Sequence, residues 1–279
     1  MDSELAPLLT AIEAEDRGVD LSGAVLKSGW ESLVVETRDG WILRFPRPHV
    51  DFARELAVLE LLAARVPVPI PRVEWVGRLR PFAAYRKLTG QEFAATRFYS
   101  LSPVRQKVLA SSFAEFLLAV HSALSPAEIA SLNLPVLDHA GAVAGLEERL
   151  PLVPASARPA VDELIAEVRA YWVDVPAPER RTVLHNDFHF GNLVLDERTG
   201  AVAAVWDFSC VSLGEPSFDL RYLMKAPRLV ELLSNTYTIR GGHPLNLPAA
   251  ENARRLEAVT DALDLGEPET IPDLVRSWS

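Results

Sequence analysis

The stretch LHNDFHFGNLVLD, residues 184–196, constrains this chain more than any other. A solvated loop has no need of Leu184, Phe188, Phe190, Leu193, Val194 and Leu195. A plain core strand has no place for His185, Asp187 and Asn192. The mixture implies polar groups displayed on a rigid apolar support, as reactive loops commonly are. A second apolar run, 201–206, follows a few residues later and ends at Asp207. Two short strands at 192–195 and 202–206 would form a hairpin that carries polar loops at its ends.

The rest of the chain divides around this hairpin. Residues 3–16 read as a helix with Leu5, Leu8, Leu9 and Ile12 on one face. Strands are expected at 31–37 and 41–46, joined by the turn signal Asp39-Gly40. A helix follows at 51–64, with Leu56, Leu59 and Leu62 or Ala63 as its buried face, and Pro67, Pro69 and Pro71 stop it. Two more strands are expected at 72–76 and 82–88. The first ~90 residues therefore read as a small sheet with one long helix. The remainder reads as mostly helical. A helix at 103–124 opens on Ser102-Pro103, a cap and first-turn pair. Val108, Leu109, Phe113, Phe116, Leu117 and Val120 make its apolar face. Further helices are expected at 159–172, 217–233 and 249–264, with connectors at 151–159 and 175–179.

Composition narrows the function. The chain has 279 residues, 49% of them hydrophobic, enough for a substantial core in one large or two modest domains. Its net charge of −10 disfavours nucleic-acid binding, which needs a basic footprint, and suits a cationic or neutral small molecule. Cys210 is the single cysteine, so no intramolecular disulfide can form, as suits a reducing cytoplasm. The acidic start MDSELAPLLTAIEAED has no secretory pattern, and no apolar run has the length of a membrane span. The expectation is a cytoplasmic protein, monomer or dimer.

Three pieces carry chemistry: His185-x-Asp187-x-x-x-x-Asn192, Asp207, and the pair Arg44 and Glu55 on a strand and the next helix. A carboxylate such as Asp187 can accept a hydrogen bond from an incoming hydroxyl. An amide oxygen and a second carboxylate, Asn192 and Asp207, can hold Mg²⁺, which shares the rest of its shell with phosphates and water. The hairpin would bring Asp207 beside Asn192. Arg44 would point at nucleotide phosphates, held by Glu55 through a charge-assisted bond. Such an arrangement serves phosphoryl transfer, where positioning and charge neutralisation supply most of the rate.

HNDFHFGN followed by VWDFS resembles the catalytic and metal loops of the aminoglycoside phosphotransferase family, relatives of the protein kinases. The resemblance covers most of the chain. SGWESLVVETRDGWILRFPR is similar to the nucleotide loop and phosphate-contacting strand, and FARELAVLELL to the helix with the paired glutamate. AAYRKLTGQEF is similar to the hinge lining the nucleotide base, FAEFLLAVHSAL to the helix under the catalytic loop, and GEPSFDLRYL to the segment bracing that loop. The nearest branches are the 2''-aminoglycoside and macrolide kinases.

The resemblance implies an α+β, protein-kinase-like, two-lobed fold: a nucleotide lobe at 1–86, a hinge at 87–91 and a catalytic and substrate lobe at 92–279. It implies Asp187 as the group that orients or deprotonates the acceptor hydroxyl, and Asn192 and Asp207 as holders of Mg²⁺. Arg44, Glu55, Ser28 and Gly29 would serve the phosphates, and Tyr85, Lys87 and Leu88 the base. His185 and Asp219 would support the loop. The implied reaction is ATP- or GTP-dependent phosphorylation of a small-molecule hydroxyl, an aminoglycoside-type antibiotic first. Alternatives are a macrolide, a sugar or an amino alcohol as acceptor, and a nucleotide-binding pseudokinase. Two departures stand out: Ser28-Gly29-Trp30 replaces a longer glycine-rich loop, and Arg44 replaces the family's lysine.

Outside these motifs the expectations are plainer. His189 reads as a satisfied loop histidine, His121 as a partner of its helix C-terminus, His243 as exposed and Cys210 as a small buried hydrophobe. Glu215, Glu231, Asp261, Asp264, Glu267, Glu269 and Asp273 read as a solvated surface, or else as an acidic cleft for a polyamine. YTIRGGHPLNLP is a candidate substrate loop.

Overall fold

The computed structural model describes residues 4–173 and 181–278. The connector expected at 175–179 lies outside them, as does Ser3, the first residue expected of the opening helix. The opening helix is α1 (Leu5–Glu13). A five-stranded antiparallel sheet follows: β1 (Val25–Ser28), β2 (Ser32–Glu36), β3 (Trp41–Pro46), β4 (Trp75–Val76) and β5 (Ala83–Arg86), in the order β1-β2-β3-β5-β4. Helix α2 (Phe52–Leu62) crosses between β3 and β4. The turn at Asp39-Gly40 joins β2 to β3 as expected, with Gly40 at φ +85°, where a side chain would be strained.

Strand register decides what each face of the sheet does. Val34 pairs with Arg44, Glu36 with Ile42, and Ile42 with Tyr85. Alternation puts these residues on one face and Leu33, Val35, Leu43, Phe45 and Ala84 on the other. The second set packs with Leu8 and Ile12 of α1 into an apolar cluster. The first set is left to face the second lobe. Helix α2 turns Val58, Leu59 and Leu62 toward the main core. Val58 takes the buried place expected of Leu56, because the same face must also bury Glu55 against Arg44.

The larger lobe is built on α3 (Pro103–Ser122), whose Ser102 caps the Arg105 amide. Phe113 and Phe116 are fully buried and lie 5.2 and 5.4 Å from the ring of Phe188; Phe190 lies 5.5 Å from Phe113. These aromatics are the apolar support that the 184–196 pattern demanded. Around α3 stand α4 (Pro126–Leu132), α5 (His139–Arg149) and α6 (Arg158–Val168). The strands β6 (Thr182–Leu184), β7 (Leu193–Leu195), β8 (Val202–Val205) and β9 (Ser212–Gly214) make two short pairs, β6–β9 and β7–β8. The helices α7 (Pro227–Ile239), α8 (Leu247–Asp264) and α9 (Ile271–Arg276) close the chain. No single helix among the described residues is long and apolar enough to cross a membrane.

Several expectations need correction. β1, β6, β9, α4, α5 and α9 were not foreseen, and the strands expected at 72–76 and 82–88 shrink to two and four residues. The helix expected at 159–172 ends at Val168 and continues as a π-helical turn through Val173. The helix expected at 217–233 is two elements: 3₁₀ turns over Pro216–Lys225, then α7. Pro227 divides them, since its ring cannot continue the preceding helical backbone. The two-lobed α+β architecture itself is as expected.

Backbone bonds tie the first lobe and the segment after β5 to the β7–β8 pair, and the Val205 amide bonds the Pro69 carbonyl at 3.1 Å. Gln91 and Leu195 exchange backbone hydrogen bonds at 2.8 and 2.9 Å. Gly90 permits the approach: a Cβ there would lie 2.6 Å from Val194 Cγ2 and 2.9 Å from the Leu195 carbonyl oxygen.

Candidate active site

Strand β6 ends at Leu184 and delivers His185 into the core. Burial lowers the pKa of His185, so the ring is neutral, although nearby carboxylates pull the other way. Its Nδ1 accepts the Asp187 amide at 3.3 Å, and Nε2 faces the Trp206 carbonyl at 3.1 Å. The network thus assigns the proton to Nε2. His185 thereby bonds to both polar loops.

Asn186 adopts φ +61°, a conformation that asparagine tolerates better than most side chains. The fully buried Asp219 carboxylate holds this turn. It accepts the amides of His185 at 2.9 Å and Asn186 at 2.7 Å. His121 Nε2 lies 3.0 Å from the same carboxylate, and His121 Nδ1 lies 2.8 Å from the Tyr237 hydroxyl. Burial would raise the Asp219 pKa, but these donors outweigh it and hold the carboxyl below its usual range. His121 is therefore part of the loop's support rather than a helix-end partner. Arg221 adds a bond from Nη2 to the Asn186 carbonyl at 2.7 Å, and Glu257 holds Arg221 from α8.

Asp187 follows, one-quarter exposed. Its Oδ2 accepts Asn192 Nδ2 at 2.7 Å and lies 3.5 Å from His189 Nε2. Burial pushes its carboxyl up, but His189 and the Asn192 amide more than offset this and lower it. His189 is satisfied within its loop, where Nδ1 accepts the Gly191 amide at 2.9 Å. Its other nitrogen faces Asp187, which was not expected.

The β7–β8 hairpin does what its sequence required. The Trp206 amide bonds the Asn192 carbonyl at 2.9 Å, so Asp207 emerges next to Asn192. Asp207 sits at φ +64°, a strained backbone for a non-glycine residue of the kind that clusters at functional sites. Its Oδ1 accepts Ser209 Oγ at 2.7 Å and Arg44 Nη2 at 3.2 Å. Arg44 Nη1 reaches Glu55 Oε2 at 2.5 Å. One buried guanidinium thus ties β3 to α2 and to the far lobe. Burial works against its charge, but Glu55 and Asp207 raise its pKa and keep it cationic.

Arg44 and Asp207 form the inner wall of a cleft of about 480 Å³ between the lobes. Ser28, Gly29, Tyr85, Lys87 and Leu88 line it, together with Val34, Ile42, Val194 and Trp206. Charged side chains line it in two groups, Arg44 with Asp207 and Lys27 with Glu36 and Lys87, together with Glu92. Glu55 pairs with Arg44, and Asp187 and Asn192 adjoin Asp207, without lining the cleft. Lys87 spends its ammonium on Glu36, which also holds Lys27 Nζ at 2.6 Å. Those two lysines lower the Glu36 pKa. Lys27 and Glu36 were missed from sequence, because isolated charges on short strands look like solvated ones.

The donor set at Asn192 and Asp207 suits a hard divalent cation. Asn192 gives its amide nitrogen to Asp187, and Asp207 accepts both of its bonds on Oδ1, so among the described residues the Asn192 amide oxygen and Asp207 Oδ2 take no hydrogen bond. Two oxygens, one charged, match an ion that takes its other ligands from phosphates and water.

The pattern of the phosphotransferase enzyme family, APH, matches residues 22–258. No curated protein sequence matches the chain significantly. Among solved structures, the complex of APH(2'')-IIIa with GDP and kanamycin is similar at a TM-score of 0.79 and 18% identity, over 97% of each chain. The macrolide 2'-phosphotransferase MphH from Brachybacterium faecium is similar at 0.66 and 19%, over 96% of this chain and 97% of that one. The gentamicin complex of APH(2'')-IIa is similar at 0.67 and 16%, over 99% and 95%. At these identities the likeness is one of fold.

Proposed function

The chain belongs to the phosphotransferase enzyme family, and we propose that it transfers the γ-phosphoryl group of ATP or GTP to a hydroxyl of a small molecule in the cytoplasm, first among them an aminoglycoside-type antibiotic. The observation that carries this reading is Arg44 joined at once to Glu55 and Asp207, with Asp207 held beside Asn192 and Asp187. A binding module has no use for that set.

In this reading residues 1–86 form the nucleotide lobe, 87–91 the hinge and 92–279 the catalytic lobe. The base lies between Val34 and Ile42 above and Val194 below, against Tyr85 and Leu88. Ser28 and Gly29 cover the phosphates, and Arg44 contacts them with its remaining guanidinium hydrogens. Asn192 and Asp207 hold Mg²⁺. When bound, that ion neutralises charge on the β- and γ-phosphate oxygens. Asp187 accepts a hydrogen bond from the acceptor hydroxyl, aims the oxygen at the γ-phosphorus and takes up the proton as the new oxygen–phosphorus bond forms and the bond from the γ-phosphorus to the bridging oxygen breaks, releasing ADP or GDP. His189 and Asn192 keep its carboxyl ionised and turned to that task. His185 and Asp219 hold the loop rigid, which is where positional catalysis is won or lost.

A macrolide is the second reading, supported by the macrolide 2'-phosphotransferase among the similar folds. Aminoglycosides come first because a similar fold with a TM-score of 0.79 is a kanamycin complex. The test is mass spectrometry of reactions containing Mg²⁺, ATP or GTP, and a panel of aminoglycosides, macrolides, sugars and amino alcohols. A product heavier by one phosphoryl group, absent with Asp187→Asn, is expected. Nucleotide binding with no product from any acceptor would favour the pseudokinase reading instead.

A further inference from the structure

The turn between β1 and β2 does more than cover phosphates. It is stiff: the Gly29 amide bonds the Ser32 carbonyl at 2.8 Å, and the Arg47 amide bonds the Glu31 carbonyl at 2.7 Å. Arg47 also donates to Ser28 Oγ at 2.9 Å and to the Gly29 carbonyl. A turn fixed at both ends nevertheless holds Trp30 83% exposed. The next residue, Glu31, reaches across the cleft, and its Oε1 lies 3.8 Å from Cys210 Sγ. That weak thiol contact is its only side-chain partner among the described residues. Cys210 in turn gives its carbonyl to Asn186, beside Asp187. The turn therefore carries an exposed indole and, next to it in sequence, a carboxylate that pairs with no cation among the described residues and is linked to the catalytic loop through Cys210.

Neither group lines the nucleotide cleft. A carboxylate beside phosphates repels them, and an indole held in water leaves its apolar face open to a ligand. Together they match one chemistry well. The face of a sugar ring packs on an indole, an ammonium group is drawn to the indole's π face, and a carboxylate pairs with the same ammonium. The geometry points to Trp30 and Glu31 as acceptor-recognition residues contributed by the nucleotide lobe. Their ligand is a protonated amino sugar whose reacting hydroxyl lies at Asp187. This rests on the phosphotransferase reading above and deepens it. Amino sugars occur in both aminoglycosides and macrolides, so the two sources share this chemistry.

The experiment compares the wild-type protein with Trp30→Ala, Trp30→Phe and Glu31→Gln, using Mg²⁺ and ATP or GTP. One arm uses kanamycin and the other a macrolide. In the arm that gives product, Trp30→Ala and Glu31→Gln should each raise the acceptor KM about tenfold, the size of one cation–π or charge-assisted contact. The nucleotide KM should stay within about twofold, and Trp30→Phe should recover most of the loss. An acceptor with its amines acetylated should bind the wild type as weakly as it binds Glu31→Gln. Product with unchanged acceptor KM in both variants overturns the assignment and leaves the phosphotransferase reading standing. A nucleotide KM that rises as much as the acceptor KM also overturns it, because the turn would then serve only the nucleotide. No product from the wild type in either arm overturns the antibiotic reading and this assignment together.

Discussion

Asn192 gives its side-chain amide nitrogen to Asp187 twice, at 3.0 Å to the backbone carbonyl and at 2.7 Å to the carboxylate. The pair fixes the two side chains relative to each other. Asp187→Asn would keep the shape and lose the charge. Phosphoryl transfer should fall by about 10²–10⁴-fold, while nucleotide binding, read by titration, should hold within about twofold. Unaltered turnover would remove Asp187 from the reaction.

Arg44 has two partners, so its replacements should separate two effects. Arg44→Ala leaves Glu55 buried without a counter-charge, which costs about 3–5 kcal/mol of stability. Arg44→Lys offers a single nitrogen and can serve Glu55 or Asp207 but not both in the same geometry. Thermal unfolding should rank wild type above Lys above Ala, and the nucleotide KM should rise in the same order. Equal melting and equal kinetics in both variants would show that the ion pair is idle.

The Asp219 carboxylate collects three donors on two oxygens. Asp219→Asn offers one oxygen and turns an amide nitrogen toward at least one of those donors. Each buried donor left unpaired costs about 1–3 kcal/mol. The loop at Asn186 should loosen, so kcat should fall by more than the nucleotide KM rises. A variant with wild-type kcat would show that the loop keeps its shape without this anchor.

His139 at the start of α5 packs its ring 4.8 Å from Trp172 and 5.0 Å from Phe218. Burial lowers its pKa from 6.5 to about 4. Between those values the unfolded chain takes a proton that the folded chain refuses. Stability should therefore decline as pH falls from 6.5 toward 4, by about 1–3 kcal/mol from this group, and level off below. Urea unfolding at pH 7 and pH 5 reads the decline. His139→Phe should remove this part of it, and a variant with the wild-type pH dependence would acquit His139.

The sequence was most legible where a single local pattern carried the meaning. Asp207 beside Asn192 follows from a hairpin with two short apolar strands. Arg44 with Glu55 follows from a strand and the helix after it. What was illegible depends on segments far apart in the chain. His121 acquires its role from Asp219 and Tyr237, which lie on the 3₁₀ segment and on α7. Glu36 acquires its two lysines through the β1–β2 register and the end of β5. β1 itself, Val25-Leu26-Lys27-Ser28, is mostly exposed and shows no clean alternation to find. β6 and β9 have three residues each, too short for any periodicity.

The exchange of backbone bonds between Gln91 and Leu195 is one of two backbone ties at this seam: the Val205 amide also reaches the Pro69 carbonyl at 3.1 Å, and Val58, Leu59 and Leu62 of α2 share the main core with α3. Across the cleft, by contrast, Arg44 meets Asp207 and Glu31 meets Cys210 through side chains alone. Substitution there changes how the two halves hold together while the backbone seam stays in place.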